Sequence, residues 1–186
     1  QLLGRCLELS PEFSAARQQY AMVLHRNNKP TAALQQIAQL EQDDPGNASV
    51  RNLKAAVLCR TGDYMPAIDL YRQLVRQFPN QAKLFLSFGH ALKTAGVRDE
   101  AIAAYRRCIA IDLGYGEAYW SLANLKTFRF DASDIQAMQV QLARNDLAKD
   151  QRAQFEFALG KAFEDESDYD ASFQHYDSGN TLRREM

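Results

Sequence analysis

The chain has 186 residues, 46% hydrophobic and 24% charged, with five prolines and nine glycines: enough apolar content for a folded core and too few turn formers for disorder. A net charge of −1 leaves no overall pull toward nucleic acid or an anionic membrane, and the longest apolar stretches, such as 84–88, are far short of a membrane span. Three cysteines, an odd number with no Cys-x-x-Cys pair, argue against a disulfide framework and point to thiols of a reducing, cytoplasmic compartment.

In chain order, residues 1–9 read as a lone second helix, with Leu2, Leu3 and Leu7 as its apolar positions and Cys6 as its small residue. The chain opens on Gln1 in mid-helix, so an upstream start or a removed signal sequence is left open. Helical hairpins are expected at 13–42, 47–77 and 81–111. A fourth has its first helix near 115–125, and a fifth covers 150–184. The guide is a period of 34 residues: Pro11, Pro45 and Pro79; Ala33, Ala67 and Ala101; Ala21, Ala55, Gly89 and Ala123; Leu24, Leu58 and Leu92, broken at Lys126.

The physics behind these columns is steric. Two helices approach closely only where side chains are tiny. Ala21, Ala55, Gly89, Ala123 and Gly160 supply that on first helices; Ala33, Ala67, Ala101 and Ser172 supply it on second helices. Larger residues one turn away fill the rest of an apolar stripe. Gly62 and Gly96 fall where a left-handed residue ends a helix. Pro45 and Pro79 end the second helices. The fourth hairpin is irregular: Asp131, Ser133 and Asp134 read as a helix start, continued by Ile135, Met138 and Leu142, and the next hairpin arrives three residues late.

A period of 34 with an aromatic-x-x-Leu-Gly pattern followed by Ala-x-x-x-aromatic identifies the tetratricopeptide repeat. Phe85, Phe88, Gly89, Leu92, Ala101 and Tyr105 carry the pattern most fully. The resemblance implies an all-α, right-handed superhelical solenoid. It forms a single domain with an orphan helix 1–9 and repeats at 14–47, 48–81, 82–115, irregular 116–150 and 153–186. Such a fold implies a protein–protein interaction scaffold.

A second resemblance lies in Tyr119-Trp-Ser-Leu-Ala-Asn-Leu-Lys-Thr-Phe-Arg-Phe130, in Phe157-Ala-Leu-Gly-Lys-Ala-Phe-Glu-Asp165, and in Tyr169-Asp with His175-Tyr-Asp-Ser-Gly-Asn-Thr-Leu-Arg-Arg184. Residues 116–186 resemble the repeat region of bacterial tetratricopeptide-repeat sulfotransferases. That implies a larger parent in which the repeats position or select the acceptor. The alternative is a free-standing adaptor with no associated enzyme.

No catalysis is expected in the chain itself. The phosphate loop of a sulfotransferase has no counterpart: Gly114-Tyr115-Gly116 is a linker with no preceding strand. His25, His90 and His175 lack the spacing of a helical metal pair. The acidic run Glu164, Glu166, Asp168 and Asp170 lacks the order and glycine of a calcium loop. Catalytic residues, cofactor and metal are therefore all expected to be absent.

The first helices are expected to line a concave groove. Its candidate residues are Met22, His25, Arg26, Asn52, Arg60, Lys83, Leu86, His90, Lys93, Trp120 and Asn124. Arg26, Arg60, Lys83 and Lys93 make that strip basic, which suits an acidic peptide or a chain carboxylate; a solvated helix face is the other reading. Trp120 reads either as packing at the irregular junction or as an exposed anchor. Self-association through the exposed amino-terminal helix is expected, and nucleic acid and membrane are not.

Overall fold

The computed structural model describes residues 2–125 and 127–186. Lys126, where the leucine column breaks, and Gln1, read as opening in mid-helix, lie outside them. Every regular element among the described residues is helical: α1 Leu2–Leu9, α2 Ser14–Arg26, α3 Pro30–Asp43, α4 Ala48–Thr61, α5 Tyr64–Gln77, α6 Ala82–Thr94, α7 Arg98–Ile111, α8 Gly116–Ala123, α9 Ala132–Leu142, α10 Lys149–Asp165 and α11 Tyr169–Arg184. The chain forms two compact units. One runs up to Pro79 and includes His90–Arg98; the other holds Asn80–Gly89 and Asp99–Met186.

In the first unit the small-residue columns do what sterics require. Ala21, Ala33, Ala55 and Ala67 have no exposed surface. Around the first two, Leu24, Ile37, Leu40, Val50, Leu53 and Val57 close a core cluster. Helix α1 lies against α2. Leu3 and Leu7 are half-buried on that side, whereas Leu2 and Leu9 are 89% and 73% exposed. Both second helices stop before their prolines, α3 at Asp43 and α5 at Gln77. Asn47 opens α4, its side-chain oxygen accepting from the Ser49 and Val50 N–H groups at 3.0 and 3.2 Å, so two of the four orphan donors of the helix start are satisfied.

The turns out of α2, α4 and α6 each use one left-handed residue: Asn28 (φ 56°), Gly62 (φ 90°) and Gly96 (φ 81°). The residue after it donates its N–H back to the carbonyl five positions earlier: Lys29 to Leu24, Asp63 to Leu58 and Val97 to Leu92, all at 2.9 Å. This closure satisfies orphan carbonyls at the helix end.

The second unit contains the closest helix contacts. A Cβ built on Gly89 would stand 2.6 Å from the Tyr105 ring, and one on Gly160 would stand 2.8 Å from the Tyr176 ring. In both hairpins an aromatic of the second helix therefore lies against the bare backbone of the first. Ser172, the small residue of α11, is buried and donates its hydroxyl to the Gly160 carbonyl at 2.8 Å. Ser167 (φ 64°) makes the left-handed turn here, and the Asp168 N–H closes back on Phe163 at 3.0 Å.

The irregular hairpin has the expected start. Asp131 caps α9 by accepting from the Asp134 N–H at 2.9 Å, and the Asp134 carboxylate accepts from the Asp131 N–H at 3.1 Å. Asp134 is buried and answers Arg106 of α7, with one contact at 2.7 Å. The Arg106 guanidinium also covers the Phe128 ring, 5.0 Å from its centroid. Tyr119 packs against Phe155 and Phe130 with centroids 5.3 and 6.3 Å apart. Arg152 of α10 donates to the Leu142 carbonyl at 2.7 Å, satisfying the end of α9.

Candidate interaction surface

The candidate residues divide between the two units. Met22, His25, Arg26, Asn52, Arg60, His90 and Lys93 belong to the first; Lys83, Leu86, Trp120 and Asn124 belong to the second. Arg26, Asn52, Arg60, Lys83 and Asn124 are exposed, and Met22, His25, His90, Lys93 and Trp120 are half-buried. Leu86 is different. It is 6% exposed, so it offers no open surface and belongs to the core. Its neighbours explain this: Leu84, Phe88 and Leu92 are buried too, and a helix apolar around most of its circumference is buried around most of it.

In the first unit, α2 and α4 bring three basic side chains together. His25 and Arg26 end α2, and Arg60 ends α4 one repeat period later. Desolvation by burial, then the positive charges of Arg60 and Arg26, hold the His25 imidazole below its ordinary 6.5, so it is neutral at neutral pH. Its Nδ1 is shielded from solvent and has no hydrogen-bond partner among the described residues. Protonating Nδ1 would bury an unanswered N–H, a second reason to stay neutral. The Arg60 Nε donates to the Asn28 side-chain oxygen at 3.2 Å.

Several other cations are ion-paired. Lys54 meets Glu41 at 2.7 Å, Arg72 meets Asp69 at 2.9 Å, and Arg144 meets Asp146 at 2.8 Å. Arg129 and Lys161 both reach Asp165. Among the described residues, Arg26, Arg60, Lys83 and Lys93 have no carboxylate within ion-pair distance.

In the second unit, Trp120 lies 6.4 Å from the Phe157 ring and under the Arg183 guanidinium at 5.9 Å. It packs at a helix junction rather than standing free. The Asn124 side chain donates to the Trp120 carbonyl at 2.9 Å and thus serves the end of α8. The sequence reading did not pick out Asn28, and it quoted Phe157 and Arg183 only within the resemblance of residues 116–186. Asn28 had a signal, because it stands 34 residues before Gly62 and asparagine tolerates the left-handed region.

The Cys108 thiol is buried and pushed up to about 12, by burial first and then by Asp112 and Glu117, so it is protonated and inert at neutral pH. Among the described residues no group of three or more His, Cys, Asp or Glu could hold a metal ion. No helix among them is long and apolar enough to cross a membrane. An open hollow of about 610 Å³ beside α1 is lined by Leu2, Leu3, Tyr20 and Val23.

Comparison with known proteins fits this geometry. Residues 1–57 match the sequence profile of the tetratricopeptide repeat. An uncharacterized protein of Aquifex aeolicus (strain VF5) is 26% identical over 133 residues, a match covering 72% of this chain and 17% of that protein. The chain therefore spans less than a fifth of that relative's length. Among solved structures, MamA 41-end from Desulfovibrio magneticus RS-1 superposes with a TM-score of 0.68 at 17% identity, covering 94% of this chain and 97% of that one. YrrB, a TPR protein with an unusual peptide-binding site, gives 0.66 at 15% identity, covering 99% and 93%. These likenesses establish the fold, an all-α array of tetratricopeptide-type helical hairpins.

Proposed function

We propose that this chain is a protein–protein interaction scaffold whose first helices carry the binding faces. One observation carries the reading. Four basic residues of those helices, Arg26, Arg60, Lys83 and Lys93, lack carboxylate partners among the described residues, whereas Lys54 on α4 is tied to Glu41 and Lys161 on α10 to Asp165. An unneutralised cation on a repeat surface is free to meet a partner's charge, which steers encounter and fixes register. The unusual peptide-binding site of YrrB supports the same class of function. The apolar component comes from Met22, which packs on the core cluster while keeping part of its surface.

The cytoplasm is the compartment we assign, because Cys6, Cys59 and Cys108 are all free thiols. Within the same proposal, the repeats position or select the acceptor of a sulfotransferase parent. That assignment rests on the resemblance of residues 116–186. The exposed side of α1 serves self-association.

The test is affinity capture with the purified chain, with bound proteins identified by mass spectrometry. Arg60→Glu and Lys83→Glu, alone and together, should remove specific partners while helicity is unchanged. An identical partner list for wild type and double variant would sink the reading.

A further inference from the structure

We propose that His25, Arg26 and Arg60 form a receptor for the acidic side chains of an extended protein segment, placed at the turn end of the first helices. The inference rests on the scaffold reading above and names the chemistry that one of its faces takes.

Three observations converge on this cluster. First, Arg26 and Arg60 occupy the same column of adjacent repeats, 34 residues apart, so a chain running along α2 and α4 meets the same group twice. Both are exposed, and neither has a carboxylate partner among the described residues. Second, Arg60 is oriented. Its Nε is held by the Asn28 side chain at 3.2 Å, and Asn28 itself is fixed in the left-handed turn at φ 56°. With Nε occupied, the two terminal nitrogens are the edge left for a ligand, and that planar pair fits a carboxylate end-on through two parallel N–H···O bonds. Third, His25 sits in the field of both arginines and stays neutral there, with a lowered pKa. It adds no charge of its own to repel them, and its ring is half-buried between solvent and core.

The charges acting on His25 are Arg60 from α4 and Arg26 from its own helix; no carboxylate joins them. A bound carboxylate would offset both arginines, so the His25 pKa must rise on binding. That makes His25 a reporter inside the proposed site. The chain's net charge of −1 argues against a polyanion drawn in by overall field, and favours a short segment recognised locally.

The experiment follows the His25 ring by NMR through a pH titration of the folded chain. The probe is a short acetylated and amidated peptide alternating glutamate and serine. The expected result is an upward move of the His25 pKa at saturation, absent with the glutamine version of the peptide. Arg60→Gln and Arg26→Gln should each weaken binding, by up to about fivefold for an exposed pair. Asn28→Ala should weaken it through Arg60, and raising the salt from low to physiological should weaken it further.

A glutamine peptide with a free terminal carboxylate that binds as well as the glutamate peptide would overturn the side-chain assignment in favour of a chain end. Tighter binding of a single-stranded oligonucleotide would overturn the protein segment. If the glutamate peptide leaves His25 unmoved while partners captured by the wild type are still lost in Arg60→Glu, the scaffold reading stands and the acidic specificity falls. Circular dichroism and thermal midpoints of each variant separate lost binding from lost fold.

Discussion

Gly89 and Tyr105 show how a single residue type sets a helix contact. The ring occupies the space a Cβ would need, at 2.6 Å, so any side chain at 89 must move an aromatic that is itself fully buried. Gly89→Leu is expected to destabilise by roughly 1–3 kcal/mol or more, read as a lower urea midpoint; an unchanged midpoint would refute the pairing of α6 with α7. Burial also sets a pH dependence. Cys108 and Tyr119 are each pushed up to about 12, from 9.0 and 10.0, with burial as the leading cause. Below pH 9 the folded and unfolded chains both keep these protons. Above it the unfolded chain releases them first, so the folded state binds more protons and stability falls until the folded values are passed. The urea midpoint should decline between pH 9 and pH 12, and Cys108→Ala should flatten the early part of that decline. The small residues and their aromatic partners were legible in the sequence because sterics leaves few substitutes. Leu86 was not, because one helix face cannot be told from another where the apolar run covers most of the circumference.

Among elements, the turns explain both the regular repeats and the irregular one. Asn28, Gly62 and Gly96 recur every 34 residues; the next position in that column is Phe130. A bulky aromatic does not enter the left-handed region readily. There α8 ends at Ala123, and α9 starts afresh at the extended Asp131 (φ −92°, ψ 172°). The start of α9 was legible because Asp131 and Asp134 stand at capping-box spacing, and α8, Gly116–Ala123, falls within the 115–125 expected for it. In the last hairpin Ser167 holds the left-handed turn at φ 64°, where a non-glycine residue is strained by about 1–2 kcal/mol. Ser167→Gly is expected to raise the thermal midpoint, with part of the gain lost to the freer unfolded chain. A lower midpoint would mean that the serine side chain contributes more to the turn than its backbone costs.

At the scale of the whole molecule, repeats are stabilised by the neighbours they stack against. Leu2, at 89% exposure, and the hollow formed with Leu3, Tyr20 and Val23 present an open apolar surface beside α1. Light scattering should show a mass that rises with concentration, reduced by Leu2→Lys; a strict monomer at high concentration would remove self-association from the proposal. The fold class was readable from periodicity, since a repeat protein shows its fold as a recurrence. The binding chemistry was only half readable. Cation columns can be counted in the sequence, but which cations lack a carboxylate depends on side chains such as Glu41 and Asp134 that arrive from other helices.

Trp120 offers a last consequence. It is the chain's one tryptophan, seated against Phe157 and beneath Arg183, entirely within the second unit. Its fluorescence is therefore a local optical gauge, quenched and shifted by events around α8, α10 and α11, whereas far-ultraviolet dichroism averages over every helix. Two units that melt together must give superimposable denaturation curves by the two methods. Two that melt apart must give emission and ellipticity transitions at different urea concentrations, with the native fluorophore isolating one half of the chain without any label.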